Sequence, residues 1–246
     1  MSAECEMPKE VDKQQVGAYF SRQLQKTLSL DGSPVAVAIS AEPVERLREW
    51  RRKATLCMMV QSARQGASFF CPGSSIFCGG GEHIGIGKSS APDIINSLVD
   101  NERLVASKAA AEKRIEEVKH RVPQKGNFIS LSPLEKAPFI PQAVVIAGTP
   151  LQISRIVHLD AFETGIIDAV YGEPLCSAVI ATPITTGKPG LSLLDITCRG
   201  FGRYPAEEMA IGIPYGRLKR IVDSIEESSS GNRRPEFLEK VLNRIT

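Results

Sequence analysis

One segment with a strand, a turn and a helix constrains the fold more than any other part of the sequence. It starts with PQAVVIAG (141–148), an apolar run that predicts a buried strand. Thr149, Pro150 and Gln152 then form the pattern of a capping box with proline at the first helical position, and Gly165 supplies a stop signal. This order of elements is typical of α/β proteins.

A similar order occurs earlier in the chain. PVAVAIS (34–40) predicts a short buried strand, and residues 44–66 predict either one helix or two. In the second case Thr55 caps a new helix and Cys57 lies in its first turn. Each half therefore contains a strand, a helix with a glycine stop, an extended segment and a Cys-Gly turn. We interpret this as a degenerate duplication, which would bring the cysteines of the two halves together around a pseudo-twofold axis.

These patterns predict one compact domain of mixed α/β class that comprises residues 1–246. Residues 1–14 are expected to form a polar tail, and two similar lobes are expected at residues 15–126 and 127–246. The serine-rich stretch near residue 230 is too short and too close to the end of the chain to divide domains.

Composition argues against several classes of partner. The 246 residues include 30 basic and 28 acidic side chains, and this balance gives no broad basic surface for nucleic acid or anionic lipid. The N-terminal sequence lacks a signal-peptide pattern, and no apolar run approaches the length needed to cross a bilayer, so a cytoplasmic protein is expected. In a reducing compartment, cysteines are expected to be buried thiols, metal ligands or reactive groups rather than disulfides.

The glycine-rich stretch FCGGGEHIGIGKSS (77–90) does not match a known phosphate-binding motif. In a P-loop, four residues separate the first glycine from the Gly-Lys-Ser. Counted back from Gly87, the position of that first glycine is occupied by Glu82. The spacing of Gly80 and Gly85 also fails to match a dinucleotide-binding turn. Two interpretations remain: a nest of backbone N–H groups that binds an anion, and a turn that lets the backbone pass close to Cys78.

The cysteines allow three interpretations. No Cys-x-x-Cys pair occurs, so a metal site would have to be assembled from distant segments. Glycines adjoin Cys78 and Cys198, and backbone N–H groups often donate hydrogen bonds to metal-bound thiolates. The residues alone leave open buried structural cysteines, a metal site and a reactive thiol, with His83 as a candidate ligand or base. The glycines in question are Gly79, Gly80, Gly81, Gly200 and Gly202.

Several motifs taken together resemble an uncharacterised family of archaea and bacteria, domain of unknown function 169, over about residues 30–225. The motifs that carry this resemblance are, in order, PVAVAIS, CMMVQSARQG, CGGGEHIGIG, LSPLEKAPFIPQAVVIAGTPLQISRIVHLDAFETG, PLCSAVIATPITTGKPGLSLLDITCRGFGR and AIGIPYGRL. The resemblance places Cys57, Cys78, Cys176 and Cys198 at family cysteine positions, and it leaves Cys5 and Cys71 outside them.

The last family motif differs in this chain. The segment from Cys198 to Arg203 is longer than the family pattern and lacks its acidic residue, which puts a role for Arg203 in doubt.

The resemblance favours one hypothesis for function. In it, the four family-type cysteines hold an iron–sulfur cluster or another thiolate-ligated metal, which serves electron transfer or a reductive reaction on a small ligand. Gly79, Gly80, Gly81 and Gly200 are expected to supply N–H groups, Arg203 and Lys88 to hold an anionic substrate, and Cys71 is a substitute ligand. The expected partner is a small molecule or a redox protein. Two alternatives are a metal-free cysteine-dependent enzyme and a small-ligand-binding or regulatory module with structural cysteines.

Overall fold

The computed structural model describes residues 13–87, 91–119 and 126–237, and these form a mixed α/β fold around one eight-stranded sheet. No helix in these ranges is both long and apolar enough to span a bilayer. The strands are β1 Val35–Ser40, β2 Arg48–Glu49, β3 Phe69–Pro72, β4 Phe128–Pro133, β5 Ala143–Gly148, β6 Val170–Tyr171, β7 Gly190–Ser192 and β8 Met209–Pro214. The α-helices are α1 Lys13–Leu28, α2 Leu56–Arg64, α3 Gly80–His83, α4 Ala91–Asn96, α5 Lys108–Lys119, α6 Pro150–Ala161, α7 Thr182–Thr186, α8 Ile196–Gly202 and α9 Leu218–Asp223, and the π-helical segments are Ser97–Asn101 and Cys176–Ala181.

The capping box that the sequence predicts is present at the start of α6. The Thr149 backbone N–H donates to Gln152 Oε1 at 2.7 Å, and the Gln152 backbone N–H donates to Thr149 Oγ1 at 3.4 Å. Gln152 also donates to the carbonyl of Leu28, at the end of α1. The cap therefore fixes both the start of α6 and its position beside α1.

The prediction for residues 44–66 is half confirmed. Thr55 caps α2 and accepts a hydrogen bond from the Met58 N–H, which leaves Cys57 in the first turn. The charged part before it is not helical, because it contains β2, which pairs with β3. Trp50 next to β2 packs on Phe69 at 4.6 Å between ring centroids, and this tertiary packing outweighs local helix propensity.

The two halves of the sheet are equivalent: counted inward from either edge, corresponding strands follow in the same order and with the same relative directions. Its order is β2-β3-β4-β1-β5-β8-β7-β6, the outermost pair at each edge is parallel, and every other pair is antiparallel. Strands β1 to β4 therefore correspond in turn to β5 to β8, as the comparison of the two halves predicts. The second copy of this repeat begins at β5, whereas the lobe boundary between residues 126 and 127 stays a prediction.

The sheet separates two helical layers, and one of them contains the four family-type cysteines. Helices α1, α6 and α9 cover one face and pack on side chains such as Val144 and Ile146 of β5. Helices α2 and α8 and the segment Cys176–Ala181 cover the other face, together with Val145 and Ala147. Alternate residues of β5 thus point into opposite cores, as expected for a strand buried on both faces. Cys57, Cys78, Cys176 and Cys198 all belong to the second layer.

Two glycines let the π-helical segment Cys176–Ala181 lie directly on the sheet. A Cβ atom at Gly212 of β8 would overlap the carbonyl oxygen of Val179, and one at Gly190 of β7 would overlap that of Ala178. Backbone therefore packs on backbone at both positions, which no other residue type would allow without a shift. This contact sets the height of Cys176 above the sheet.

We predict that Gly212→Ala lowers the free energy of unfolding by about 1–3 kcal/mol, because the added methyl group forces the segment Cys176–Ala181 away from β8. Urea denaturation followed by circular dichroism measures this change. The matched control is Gly200→Ala, at an exposed position of α8 where a Cβ atom meets nothing within 4 Å. If both variants unfold at the same urea concentration, the close approach does not constrain the fold.

Candidate functional site

A cavity of about 420 Å³ lies above the second layer, between the cysteine-bearing elements and a group of helices that covers them. Its floor contains side chains of α2, α3, α8 and the segment Cys176–Ala181. Its roof consists of the described residues 91–119, that is α4, Ser97–Asn101 and α5, which we call the cover. The volume is in the range typical of small-molecule sites, roughly 300–1,000 Å³.

The four family-type cysteines all line this cavity. They occupy matching places in the two halves of the repeat. Cys57 and Cys176 lie at the second and first residues of the helical segments that follow β2 and β6. Cys78 and Cys198 each lie six residues after the end of β3 and β7, respectively. The repeat thus brings two pairs of cysteines from distant parts of the chain to one wall.

The sulfur atoms are close to one another. The Cys57 thiol lies near enough to Cys198 to raise the pKa of Cys198. A Cβ atom built at Gly80 would lie 3.1 Å from the Cys78 sulfur and 3.3 Å from the Cys176 sulfur, so both sulfurs lie against this glycine and would have to shift for a larger residue. All the described cysteines are free thiols.

The surroundings of Cys78, Cys176 and Cys198 disfavour their thiolate forms. Desolvation raises the pKa of Cys78 and of Cys176. The pKa of Cys198 is also raised, first by its hydrogen bond with Cys57 and then by burial. Backbone N–H groups of Leu56 and Gly80 act on Cys78 in the opposite direction, because they stabilise its thiolate.

Residues behind the cavity hold α2 and α8 together. Arg64 at the end of α2 forms a buried bidentate ion pair with Glu208 at 2.5 and 2.7 Å. Arg199 of α8 donates to the Glu208 carbonyl at 2.8 Å. The N-cap residue of α8, Asp195, accepts from the Cys198 N–H at 2.8 Å. The ion pair and the Arg199 bond thus connect α2 and α8 through Glu208, whereas Asp195 caps α8 at the wall of the cavity.

The cover is an addition to the first half of the repeat. It lies within residues 84–127 between α3 and β4, whereas only residues 203–208 separate α8 and β8 in the second half. Glu102 joins the cover to α8, since it accepts from Ser97 at 2.8 Å and from Thr197 at 2.7 Å. The apolar side chains that the cover turns to the cavity are Ile94, Leu98, Leu104, Ile115 and Val118.

The polar end of the cavity contains His83 and Arg114. Burial and the nearby Arg114 guanidinium lower the pKa of His83 to about 4. The sequence indicates only a solvated charged face for α5, and Arg114 was missed. Its neighbour Ile115 and the buried Ala111 and Val118 form the apolar stripe that marks the inward face of this helix, and this spacing is the signal that could have shown it.

Only part of the predicted binding set lies at the cavity. Gly79 and Gly80 line it, and Gly81 is buried against the backbone of Gly87. Gly200 is exposed, and so is Arg203, which ends α8 in a left-handed conformation with φ 55°. Cys71 is buried in β3, outside the cavity lining, while Cys5 and Lys88 lie outside the described residues.

The cysteines do not form a ready-made coordination sphere. In residues 13–87, 91–119 and 126–237, no three His, Cys, Asp or Glu side chains surround a common point closely enough to hold one metal ion. The four thiols share a wall of the cavity without forming such a group.

Comparison with known proteins gives a family without an assigned activity. A family model described as uncharacterised ArCR, domain of unknown function 169, matches residues 23–224. The uncharacterized protein MJ0308 of Methanocaldococcus jannaschii is 26% identical over 221 residues, which cover 84% of this chain and 92% of that protein. No solved structure is significantly similar to the chain.

The lowered pKa of His83 predicts that the free energy of unfolding depends on pH in a defined window. Its pKa is about 4 in the folded protein and close to the usual 6.5 in the unfolded chain. Between these values only the unfolded chain takes up the proton, so stability falls as the pH drops through this window and is unaffected above it. We expect a loss of about 2–3 kcal/mol relative to His83→Gln. Urea denaturation at pH 7 and at pH 4.5 measures it, and equal pH dependence in both proteins would contradict it.

Proposed function

This chain belongs to the uncharacterised ArCR family, and we propose that it binds an iron–sulfur cluster, or another thiolate-ligated metal, through Cys57, Cys78, Cys176 and Cys198. One observation carries the proposal: four cysteines from four separate elements line the same cavity, in two pairs that the sheet repeat relates to each other. Four cysteine ligands are the usual protein contribution to such clusters.

The surroundings of the thiols fit this donor set. Burial raises the pKa of Cys78 and of Cys176, so an apolar wall would not hold their thiolates without a compensating positive charge. A bound metal supplies that charge, and the N–H groups of Leu56 and Gly80 add hydrogen bonds to Cys78. These features support a metal site in place of four unrelated core cysteines.

The spacing of the sulfurs supports a cluster over a single ion. A tetrahedral zinc site needs all four sulfurs at about 2.3 Å from one point. The described side chains do not approach that arrangement. In a cluster each iron would take its own cysteine, so the four sulfurs would not have to surround one point. The chemistry supplied by such a cluster is one-electron transfer.

The adjoining cavity supports a reductive reaction on a small ligand as well as simple electron transfer. Its walls are mostly apolar, and the cysteines form part of its floor. A ligand seated there would touch the cysteine wall directly, which suits electron delivery over a short distance.

A metal-free cysteine-dependent enzyme is less well supported. A nucleophilic cysteine needs a lowered pKa. Burial raises the pKa of Cys78, Cys176 and Cys198 instead. A small-ligand-binding module with structural cysteines keeps one observation in its favour, which is the cavity itself.

Anaerobically purified protein is predicted to contain roughly four irons and four acid-labile sulfides per chain and to absorb visible light. The double variant Cys78→Ser/Cys198→Ser is predicted to lose most of the iron and most of the sulfide, because it removes one cysteine ligand from each half of the repeat. Metal analysis, sulfide analysis and the absorption spectrum measure these quantities.

The matched control is Cys71→Ser. Cys71 is buried in β3 but does not line the cavity, and a serine there can keep the hydrogen bond that the thiol donates to the Pro72 carbonyl. This variant is predicted to retain full metal and sulfide content. Purified wild-type protein without metal, or metal retained in the double variant, would refute the proposal.

A further inference from the structure

We infer that the cavity binds a small monocarboxylate with an apolar body and that Arg114 holds its carboxylate group. This inference rests on the proposed function for the placement of the ligand beside the cysteines. Its evidence is separate, because it comes from the charges and walls of the cavity and not from the thiols.

Arg114 is a cation that lines the cavity without an anionic partner among the described residues. It lies on α5, is half-buried and lines the cavity, yet it makes no hydrogen bond or ion pair with the described residues. A guanidinium in a partly dry site is stabilised when a carboxylate accepts two parallel hydrogen bonds from it. A bound anion would supply that partner.

The other charges of the cavity limit the anion to a single negative charge. Asp93, Glu102 and Asp195 also line the cavity, so a phosphate with two charges would meet repulsion from three carboxylates. Glu102 already accepts hydrogen bonds from Ser97 and Thr197, and Asp195 already caps α8. These hydrogen bonds orient the two carboxylates without cancelling their charge, so the anion with the smallest charge meets the least repulsion, and Arg114 is the cation that lines the cavity to hold it.

The positions of the residues orient the ligand. Arg114 lies within electrostatic range of His83, and the His83 Nε2 atom is 3.8 Å from where a Cβ on Gly79 would stand, next to Cys78. A carboxylate held by Arg114 therefore lies near His83, and the apolar body packs on the apolar side chains of the cover.

Two partly exposed aromatic rings also line the cavity. Phe77 and Phe201 pack edge to face, with ring centroids 6.3 Å apart, and the two residues are 52% and 48% exposed. An alkyl or aryl body would cover these exposed rings and the adjoining walls, which gains free energy in proportion to the apolar area removed from water. A carboxylate with no apolar body would forgo this gain.

Calorimetry on the anaerobically purified protein tests the inference with hexanoate, octanoate and the matching uncharged amides. We expect octanoate to bind more tightly than hexanoate and about ten- to a hundredfold more tightly than octanamide. Arg114→Met keeps an unbranched apolar stem but removes the charged guanidinium. It should reduce octanoate affinity to the level of octanamide and leave octanamide binding unchanged.

Two further variants sharpen the test. Lys113→Met removes an exposed charge from the same helix and should leave octanoate affinity unchanged. Arg114→Lys should restore part of the affinity, which separates loss of charge from loss of folding. Failure of octanoate to bind, equal affinities for octanoate and octanamide, unchanged binding in Arg114→Met, or tighter binding of octyl phosphate would each overturn the inference.

The metal content of the same samples separates this inference from the proposed function. Selective octanoate binding by a protein without metal supports the carboxylate site and refutes the cluster. Iron and sulfide in a protein that does not distinguish octanoate from octanamide supports the cluster and refutes the carboxylate site.

Discussion

The structure depends on the antiparallel pairing of β1 with β5 at the centre of the sheet. Val35 pairs with Val145 and Val37 with Ala143, and both strands are buried on their two faces. This pairing joins the two copies of the repeat edge to edge, because each copy adds its remaining strands outward from it. The helical segments that follow equivalent outer strands then cover the same face. Cysteines distant in sequence meet there as a consequence of the sheet order.

Much of this fold could be predicted from local patterns. The capping box before α6, the apolar runs of β1 and β5 and the cap at Thr55 depend on a few neighbouring residues each, and the structure confirms all three. Strand β2 could not be predicted, because its charged residues become a strand only through pairing with β3 and packing of Trp50 on Phe69. Its neighbours in space, and not its own residues, determine its conformation.

The candidate site could also be predicted only in part from the sequence. The cysteines could be named from the sequence because their family positions are visible there, but their convergence depends on the pairing of two halves and on the glycine contacts beneath Cys176. The polar residues were harder to identify. Arg203 adjoins a cysteine motif yet is exposed, whereas Arg114 lies on a helix of mixed charge that folds over the cavity only because the first half carries the cover. The apolar spacing of Ala111, Ile115 and Val118 marks the buried face of this helix, but no local pattern shows that the helix lies over the cavity.

X-ray absorption at the iron edge of anaerobically purified protein tests the central claim most directly, that the four cysteines together ligate a metal centre. A cluster bound by four cysteines predicts a first coordination shell made of sulfur alone, with an iron–iron distance beyond it. A first shell dominated by nitrogen or oxygen, or the absence of iron from the protein, would contradict the account.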